Sequence, residues 1–520
     1  MNRLRQMGGT VTAILLSGVL VAGCGGSKSS SGKASVAVNA TAPSTATEAR
    51  TAVINVARSS DATSLNPQEL NIGEDYTTQE AIYAGLVRPS ADGKTIEGDL
   101  ASSWTYDESS LTYTFKLRPG LKFSDGTPIG TADVIYSIEQ AKKGAEYAPM
   151  FAAVEKISAP SSSEIEIKLS KYSNLVLPAL SFALVVPNDL RGKKPLAFYK
   201  NPVTSGEYSL VSWEPGTKMV LERNPNYWDV SHVLNDRIVF QVITEENARL
   251  NALQAGNAQL DEYVPDEQVP ALSSDQLVEN GPRSAAVLIS TNNGRPPFTN
   301  IADREAASLA INRELILKTI WKGAGVPNQG LIPRGLPQSH ATPTGQETWE
   351  YDPTKAKALL HGTHPSITLL TSYERGIDSS LVDAVQQELT AVDFHVTPEV
   401  KDFATLANQV FAGKFTILLT PEAAYLPTAG EAITTYATLF AQFAHWDVKT
   451  AEKYLAQFAE AKTLQQQKAV VLAFERWAHV NYFASPIGSP SIYFGVSPKL
   501  RGLRVTPFGT YRLGALQLAK

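Results

Sequence analysis

The thiol of Cys24 is the most distinctive reactive group in this sequence, because it belongs to the only cysteine among 520 residues. A thiolate is a nucleophile that can be alkylated, and a chain with one cysteine has no second thiol for an internal disulfide. Cys24 directly follows an apolar run, Val11–Val21, and the small residues Ala22 and Gly23. The position of this single cysteine, directly after an apolar run and small residues, therefore calls for an explanation from its neighbours.

The residues around Cys24 form an N-terminal signal. Arg3 and Arg5 precede the apolar run, which is too short to cross a bilayer because a spanning helix needs ~20 apolar residues. A basic start, a short apolar run and small residues predict an export signal. Val21–Cys24 resembles the lipobox of bacterial lipoproteins, whose cysteine receives a diacylglycerol and becomes the first mature residue. The resemblance implies a signal peptide over 1–23 and lipid attachment at Cys24; a secretory signal with a chance cysteine is the alternative.

The segment after Cys24 has the composition of a linker. Residues 24–50 are rich in Ser, Ala, Thr and Gly and contain no aromatic side chain. Such a segment buries too little apolar surface to offset its ordering entropy, so we expect a flexible tether with a reach of roughly 30 Å. Ser30–Lys33 matches the S-x-x-K pattern and lies close to a phosphate-loop pattern. The flanking residues that a phosphate loop requires are missing, and we interpret both matches as linker sequence.

The remaining candidates for catalysis or metal binding are sparse. The chain has seven histidines, and the closest two, His361 and His364, flank a predicted turn at Gly362. A zinc site needs three or four converging ligands, so we predict no metal site and no cofactor. No G-x-S-x-G or H-E-x-x-H motif occurs, and we therefore predict no catalytic residue and no enzyme activity. A hydrolase with a Ser/His/acid arrangement stays open, since spacing alone does not reveal such a triad.

Composition narrows the class of protein. Hydrophobic residues make up 43% and charged residues 19% of the chain, with a net charge of −5. This is ordinary globular composition, and no basic stripe of the kind that binds nucleic acid occurs. No second apolar run approaches membrane-spanning length, so we expect a soluble body. After the tether, about 470 residues remain, which suffices for two or three domains.

The elements that must position any site residues include both strands and helices. Alternation of apolar and polar residues over Leu111–Arg118 predicts a strand, and Thr131–Ala141 predicts a helix capped by Thr131. Asp352 followed by Pro353 predicts the start of another helix, and residues 304–321 predict one or two helices. Strands cluster in the first half and alternate with helices in the second, which predicts mixed α/β lobes.

Six stretches, in this order, resemble the extracytoplasmic solute-binding proteins of peptide and nickel ABC transporters, family 5. The resemblance extends from about Val53 to the C-terminus, and its most specific part is Tyr113–Ile138. The stretches are IYAGLVR, DLASSWTYDESSLTYTFKLRPGLKFSDGTPIGTADVIYSIEQA, SGEYSLVSWEPGTKMVLERNPNYW, RLNALQAG, DREAASLAINRELILKTIWKGAGVPNQGLIP and YDPTKAKALL.

The resemblance implies an α/β, two-lobe, periplasmic-binding-protein-like fold with a hinge and an extra subdomain in the first lobe. The ligand of such a protein is enclosed between the lobes. The implied limits are 51–90, 199–288 and 484–520 for the first lobe, 91–198 for its subdomain and 289–483 for the second lobe. These limits come from the family and not from any periodicity of the sequence.

The resemblance also implies a function. A lipid-anchored substrate-binding protein would capture a small solute, most readily a di- or oligopeptide, by lobe closure and deliver it to an ABC permease. Its expected partners are the ligand, the permease and, through the lipid, the cell membrane, and we expect an extracytoplasmic monomer that binds no nucleic acid. The alternatives are a binder of chelated nickel or haem, and a surface chaperone or adhesin on the same fold.

A peptide ligand requires a carboxylate for its α-ammonium group and a cation or helix N-terminus for its own carboxylate. In peptide-binding relatives, the segment after one second-lobe strand carries Trp and Asp followed by Asp-Pro. Here the corresponding segment, residues 414–432, lacks these Asp residues. Its nearest acid is Glu422 and its nearest aromatic residue is Tyr425. Glu422 is therefore the expected anchor for an amino group, with a solvated loop acid as the alternative.

Other candidate ligand-binding residues follow predicted strands. Arg375 is the expected partner of a ligand carboxylate, because it follows the strand SITLLTS, where the family contacts its ligand. The further candidates are Tyr373 after the same strand, Asn292 and Asn293 after the strand AAVLIS, and Ser60 and Asp61 after the first strand.

Overall fold

The computed structural model describes residues 34–35, 52–69, 73–144, 148–281, 285–327, 330–339, 349–373, 377–423 and 426–519. The predicted signal peptide, Cys24, Arg375 and Tyr425 lie outside these residues. Within the predicted tether, the described part is Ala34–Ser35, which pairs with Tyr106 and Thr105.

The first half of the chain is rich in strands. Its strands are β1 (Ala34–Ser35), β2 (Val53–Arg58), β3 (Val87–Pro89), β4 (Ile96–Gly98), β5 (Ala101–Asp107), β6 (Thr112–Leu117), β7 (Val154–Ser161), β8 (Glu164–Leu169), β9 (Tyr208–Glu214), β10 (Lys218–Arg223), β11 (Arg237–Val242), β12 (Leu260–Val264) and β13 (Leu277–Asn280). Its α-helices are α1 (Gly73–Ile82), α2 (Thr131–Ala141), α3 (Val176–Ala179), α4 (Pro195–Tyr199) and α5 (Glu246–Gln254).

The second half is more helical. Its strands are β14 (Ala285–Thr291), β15 (Gly325–Pro327), β16 (Ser366–Thr371), β17 (His395–Val400), β18 (Ile417–Ala423), β19 (Ala484–Pro490), β20 (Ile492–Val496), β21 (Leu500–Arg501) and β22 (Gln517–Leu518). Its α-helices are α6 (Ile301–Leu309), α7 (Arg313–Thr319), α8 (Pro353–Leu359), α9 (Ser379–Ala391), α10 (Phe403–Phe411), α11 (Ala429–Thr435), α12 (Ala441–Phe443), α13 (Val448–Glu460) and α14 (Leu464–Val480).

The chain divides into two compact units. Asn280–Ile492 form the continuous unit, and the described residues up to Glu279, together with those from Tyr493 onward, form the discontinuous unit. The family resemblance placed the two positions at which the chain passes from one unit to the other at 288/289 and 483/484. In the structure β14 and β19 pair with each other inside one sheet, and this pairing keeps both strands within the continuous unit.

The discontinuous unit contains two larger sheets. Sheet I has five strands in the order β1-β5-β6-β8-β7, and sheet II has seven in the order β13-β20-β12-β2-β11-β10-β9. Along β6 the apolar side chains of Tyr113, Phe115 and Leu117 are buried, and the residues between them are more exposed. This pattern confirms the alternation that predicted the strand.

Sheet III of the continuous unit has six strands in the order β15-β19-β14-β18-β16-β17. One face of this sheet presents Val287, Ile289, Ile417 and Leu419 to an apolar core that includes residues of α6 to α9. Because successive side chains of a strand point to opposite faces, the intervening residues of β14 and β18 lie on the other face, here called the second face of sheet III.

Two predicted helix starts can be compared with the structure. Asp352 accepts a hydrogen bond from the backbone N–H of Lys355 and Pro353 opens α8, as the sequence predicted. Thr131 is not the cap of α2, because Gly130 occupies that position and Thr131 is the first helical residue. Asp133 accepts from the backbone N–H of Gly130 at 2.9 Å and so closes the same turn from the third helical position.

Candidate ligand-binding site

The predicted site residues of the continuous unit lie at opposite ends of sheet III. Glu422 stands opposite Ala286 in the antiparallel pair of β14 and β18, whereas Asn292 follows the other end of β14. At ~3.4 Å per residue these two ends are ~20 Å apart. Tyr373 lies at the Glu422 end, because β16 runs parallel to β18 with Leu370 beside Leu418. Glu422 and Tyr373 are thus brought to one end of the sheet, and Asn292 is not.

The end of sheet III that carries Glu422 is also the end at which the chain enters and leaves this unit. The chain enters at Asn280 and reaches β14 at Ala285, on the Glu422 side. It leaves after β19, which pairs antiparallel with β14 and ends at Pro490 on that same side. Glu422 is therefore close to both connections in the fold of this unit.

Glu422 is a buried carboxyl group without a partner among the described residues. It lies within strand β18 and its exposed fraction is 3%, which excludes the alternative of a solvated loop acid. Its Oε1 atom has no hydrogen-bond partner within the described part of the chain. Burial raises the pKa of this carboxyl well above its ordinary value. Burial of a carboxyl group without hydrogen-bond donors costs free energy. This cost indicates a group that binds a ligand or a proton.

Tyr436 is the aromatic neighbour of Glu422 in this buried region. It follows α11, is fully buried, and donates its hydroxyl hydrogen to the backbone oxygen of Leu331 at 3.1 Å. Its pKa is raised, first by burial and then by the charges of Glu422 and Glu475. Glu475 in α14 accepts a hydrogen bond from the backbone N–H of Ile332 at 3.0 Å. Tyr436 and Glu475 thus hold two consecutive residues of one segment in place.

These two residues were not predicted from the sequence. Tyr436 and Glu475 lie in different helices, and the segment that they hold, residues 331–332, lies about 100 residues earlier in the chain than Tyr436. Spacing along the chain carries no signal for such a contact. The sequence shows only that Glu475 lies within the predicted amphipathic helix LQQQKAVVLAFERWAHV.

At the opposite end of sheet III, Asn292 is held by the protein itself, whereas the buried Nδ2 of Asn293 has no hydrogen-bond partner among the described residues. The side chain of Asn292 is fully buried, and its Nδ2 donates to the backbone oxygens of Phe415 at 3.1 Å and Gly413 at 3.3 Å. Its Oδ1 accepts from the backbone N–H of Gly294 at 3.1 Å. The Oδ1 of Asn293 accepts from the Thr291 hydroxyl at 3.0 Å. A ligand role for either asparagine stays a prediction, and the observed contacts account for Asn292 without one.

Asp61 in the discontinuous unit is also engaged by the protein itself. Its Oδ2 accepts from the indole Nε1 of Trp213 at 2.9 Å and from the backbone N–H of Gly216 at 2.7 Å. Its Oδ1 accepts from the backbone N–H of Ala62 at 2.8 Å. These bonds tie the loop after β2 to the turn between β9 and β10. The neighbouring Ser60 is partly buried, and its role as a ligand contact stays a prediction.

A buried ion pair lies just before Ser60. Arg58 ends β2, and its Nε and Nη2 atoms meet the two carboxylate oxygens of Glu262 at 2.9 and 3.1 Å. The hydroxyl of Tyr511 donates to Glu262 Oε1 at 2.6 Å, and the guanidinium lies 3.6 Å from the ring centroid of Phe240. Both charged side chains are almost fully buried. The partners are far apart in sequence, so this pair was not predicted.

The other candidate residues lie at exposed positions or outside the described chain. Tyr373 is 58% exposed at the Glu422 end of sheet III, and Tyr425 and Arg375 are not among the described residues. His361 and His364 are both exposed. Among the described residues no group of His, Cys, Asp and Glu is placed to hold a metal ion. Within that same part of the chain, no helix combines the length and apolarity that a bilayer crossing requires.

Known proteins resemble this chain in sequence and in fold. The glutathione-binding protein GsiB of Escherichia coli (strain K12) is 28% identical over 369 residues, which cover 68% of this chain and 70% of that protein. The periplasmic binding protein DppA of Helicobacter pylori, solved with the peptide STSA, superposes with a TM-score of 0.82 at 22% identity, covering 90% of this chain and 98% of that one. The murein tripeptide binding protein MppA of Escherichia coli superposes with a TM-score of 0.83 at 19% identity, covering 91% and 99%.

The two superpositions confirm the predicted fold class, an α/β, periplasmic-binding-protein-like fold. These neighbours are named as binding proteins and not as enzymes. The model of the bacterial extracellular solute-binding proteins, family 5, matches residues 95–443, most of the described chain. This chain therefore belongs to the bacterial extracellular solute-binding proteins of family 5.

Proposed function

We propose that this protein is the lipid-anchored substrate-binding protein of an ABC importer and that it captures a small peptide with a free α-amino group. The observation that carries the proposal is Glu422, a buried carboxyl with no described partner at the end of sheet III where the chain enters and leaves its unit. An α-ammonium group is the complementary ligand chemistry, because it supplies both the positive charge and the hydrogen-bond donors that this carboxyl lacks.

The named ligands of several relatives support a peptide. GsiB is a glutathione-binding protein, DppA was solved with STSA, and a dipeptide binding protein of Pseudoalteromonas was solved with Met-Leu. These molecules share a free α-ammonium group and at least one carboxylate. The segment after β18 lacks the Asp residues of peptide-binding relatives, and in our proposal Glu422 takes their place.

The physical basis of capture is a change in the state of Glu422. Burial raises its pKa, so the empty site favours the neutral carboxyl. An arriving ammonium group favours the ionised form, and the resulting pair is strong only if water is excluded and the remaining acceptors are satisfied. Closure of the two lobes on the ligand meets both conditions. Only a ligand that interacts better with the closed form than with the open form shifts the equilibrium toward closure.

The tether and anchor complete the proposed function. A diacylglycerol on Cys24 would keep the binder at the membrane that holds its permease, which raises the effective concentration of each for the other without any new contact. No chemistry on the ligand is required, and the energy of transport comes from the ATPase of the importer. In our proposal the protein is therefore a monomeric binder and not an enzyme.

Thermal unfolding of the purified protein with a ligand panel tests the proposal. The panel contains glutathione, Met-Leu, Ser-Thr-Ser-Ala and trialanine, each with its N-acetylated form, and also chelated nickel and haem. A ligand at 100 times its dissociation constant stabilises the native state by ~2.7 kcal/mol. We expect this stabilisation with at least one free-amine peptide, and we expect its loss in the Glu422→Gln variant.

The matched control is Glu452→Gln, the same substitution at an exposed glutamate of α13. This variant should keep the stabilisation by peptides. Stabilisation by nickel or haem alone would retain the solute-binding role and overturn the peptide assignment. Stabilisation by peptides that persists in Glu422→Gln would remove Glu422 from the site.

A further inference from the structure

A second buried oxygen lies in line with Glu422 across neighbouring strands of sheet III. Ala286 in β14 stands opposite Glu422 in β18. On the other side of β14, Val287 stands opposite Gly488 in β19, so the next residue of β19, Ser489, lies beside Ala286. Glu422, Ala286 and Ser489 therefore form a row that runs across three adjacent strands.

All three side chains of this row lie on the second face of sheet III. Val287 belongs to the apolar core on the first face, and its pairing partner Gly488 faces the same way. A Cβ atom on Gly488 would lie 2.5 Å from the Trp321 ring, and Trp321 is part of that core. Since side chains alternate along a strand, Ala286 and Ser489 point away from this core, as Glu422 does.

Ser489, like Glu422, has a buried side-chain oxygen without a hydrogen-bond partner among the described residues. Its exposed fraction is 0%, and its Oγ atom has no hydrogen-bond partner within the described chain. Between the two polar residues stands Ala286, whose side chain is a single methyl group. Two strand spacings separate the backbones of Glu422 and Ser489 by about 10 Å. A nitrogen above the methyl group can lie within reach of both side chains, because each charge-assisted hydrogen bond spans ~2.8 Å.

We infer that Ser489 is a second ligand-binding residue, and that Glu422 and Ser489 together accept two N–H groups of one primary ammonium group held over Ala286. This inference rests on the proposed function and sharpens it to ligands with an unsubstituted amino group. Ser489 Oγ accepts, Glu422 accepts and carries the charge, and the small side chain of Ala286 leaves the space for the nitrogen. Substitution of the nitrogen removes a donor and fills that space.

Isothermal titration of trialanine and Met-Leu into the intact protein tests the inference. The key variant is Ser489→Ala, and its control is Ser485→Ala, at a buried serine of the same strand that pairs with Ile289 on the first face. Loss of a hydrogen bond to a charged group should weaken binding about tenfold or more in Ser489→Ala. Binding to Ser485→Ala should stay within about twofold of the unmodified protein.

A second measurement needs no variant and so does not depend on how a variant folds. N,N-dimethylated trialanine keeps its positive charge but has a single N–H group. We expect it to bind the unmodified protein at least about tenfold more weakly than trialanine. Equal affinity for the two peptides, or equal effects of Ser489→Ala and Ser485→Ala, would overturn the inference. If Glu422→Gln still abolished binding in that case, the proposed function would stand; no binding of any free-amine peptide to the unmodified protein would overturn both.

Discussion

Two buried glutamates, one in each unit, differ in what surrounds them. Glu262 in β12 is 1% exposed and Glu422 in β18 is 3% exposed. Glu262 receives two hydrogen bonds from Arg58 and one from Tyr511, so its charge is balanced within the protein. Glu422 receives none from the described residues, and burial alone raises its pKa. Burial of an acid is therefore no indication of a ligand site until its partners have been counted.

The comparison gives opposite expectations for the same substitution. Replacing Glu262 with Gln removes a charge that Arg58 requires, whereas replacing Glu422 with Gln removes no partner of any described group. The first change should destabilise the fold, and the second should leave it unharmed. The two variants are each other's control, because the side chains removed and introduced are identical.

The largest effect is expected for Glu262→Gln. Breaking one partner of a buried ion pair typically costs 3–5 kcal/mol, and Gln keeps some of the hydrogen bonding, so we expect a loss of about 3 kcal/mol. Urea unfolding at pH 7, followed by circular dichroism, measures it. A loss below about 1 kcal/mol would mean that Arg58 finds other acceptors, and the contrast between the two glutamates would then be weaker than the geometry indicates.

A smaller effect of opposite sign is expected for Glu422→Gln. The folded-state pKa of Glu422 is raised above its unfolded value, so the folded protein binds the proton more tightly. Its contribution to stability is complete below the unfolded pKa, near 4.5, and declines as pH rises toward the folded pKa. Gln mimics the neutral form at every pH. The variant should therefore match the unmodified protein at pH 4.5 and exceed it at pH 8.

The size of this gain reports the folded-state pKa of Glu422, because a tenfold difference in proton affinity between the folded and unfolded states corresponds to ~1.4 kcal/mol. Urea unfolding of both proteins at several pH values between 4.5 and 8 measures it. Glu452→Gln, the same substitution at an exposed position of α13, is the matched control. A Glu422→Gln variant that is less stable at pH 8 would show that the carboxylate has a stabilising partner in the empty protein.

The same contrast shows what the sequence could and could not predict. Local signals predicted β6 from its alternation and α8 from its Asp-Pro start, because both depend on neighbouring residues. The cap of α2 was assigned one residue too late, since a glycine cap offers no side-chain signal. Glu422 was found from the position of its segment in the family.

The partners of the buried acids were not predictable in this way. Glu262 meets Arg58 across 204 residues of sequence separation. The row of Glu422, Ala286 and Ser489 exists only through the register of three strands, and a shift of one residue would turn these side chains to the other face. A lone Ser in a strand carries no signal of such a row.

A second pair of acids, within one cluster of the discontinuous unit, repeats the comparison on a smaller scale. Glu97 contacts Arg88 at 3.0 Å and Arg512 at 2.6 Å. Burial alone would raise the pKa of Glu97, but these two cations outweigh it and lower the pKa. The charges of the same two arginines also act on Glu80, at longer range. Burial raises its pKa to about 7, and Tyr76, Arg512 and Arg88 offset only part of that rise.

The smallest effect is therefore expected for Glu80→Gln. Glu80 contributes its full share of stability below pH 4.5 and loses it as pH rises to about 7, so the neutral variant should gain stability over that window. Because Glu80 is partly exposed, water moderates the effect, and we expect a gain of about 1 kcal/mol at pH 8 and none at pH 4.5. Glu97→Gln should show the reverse, a loss at pH 8, because its ionised form is the stabilised one. Urea unfolding at the two pH values distinguishes the two variants. A loss of stability for both variants at pH 8 would mean that both acids act as ion-pair partners. Close contact with an arginine would then not be what separates a paired acid from an acid that is only buried.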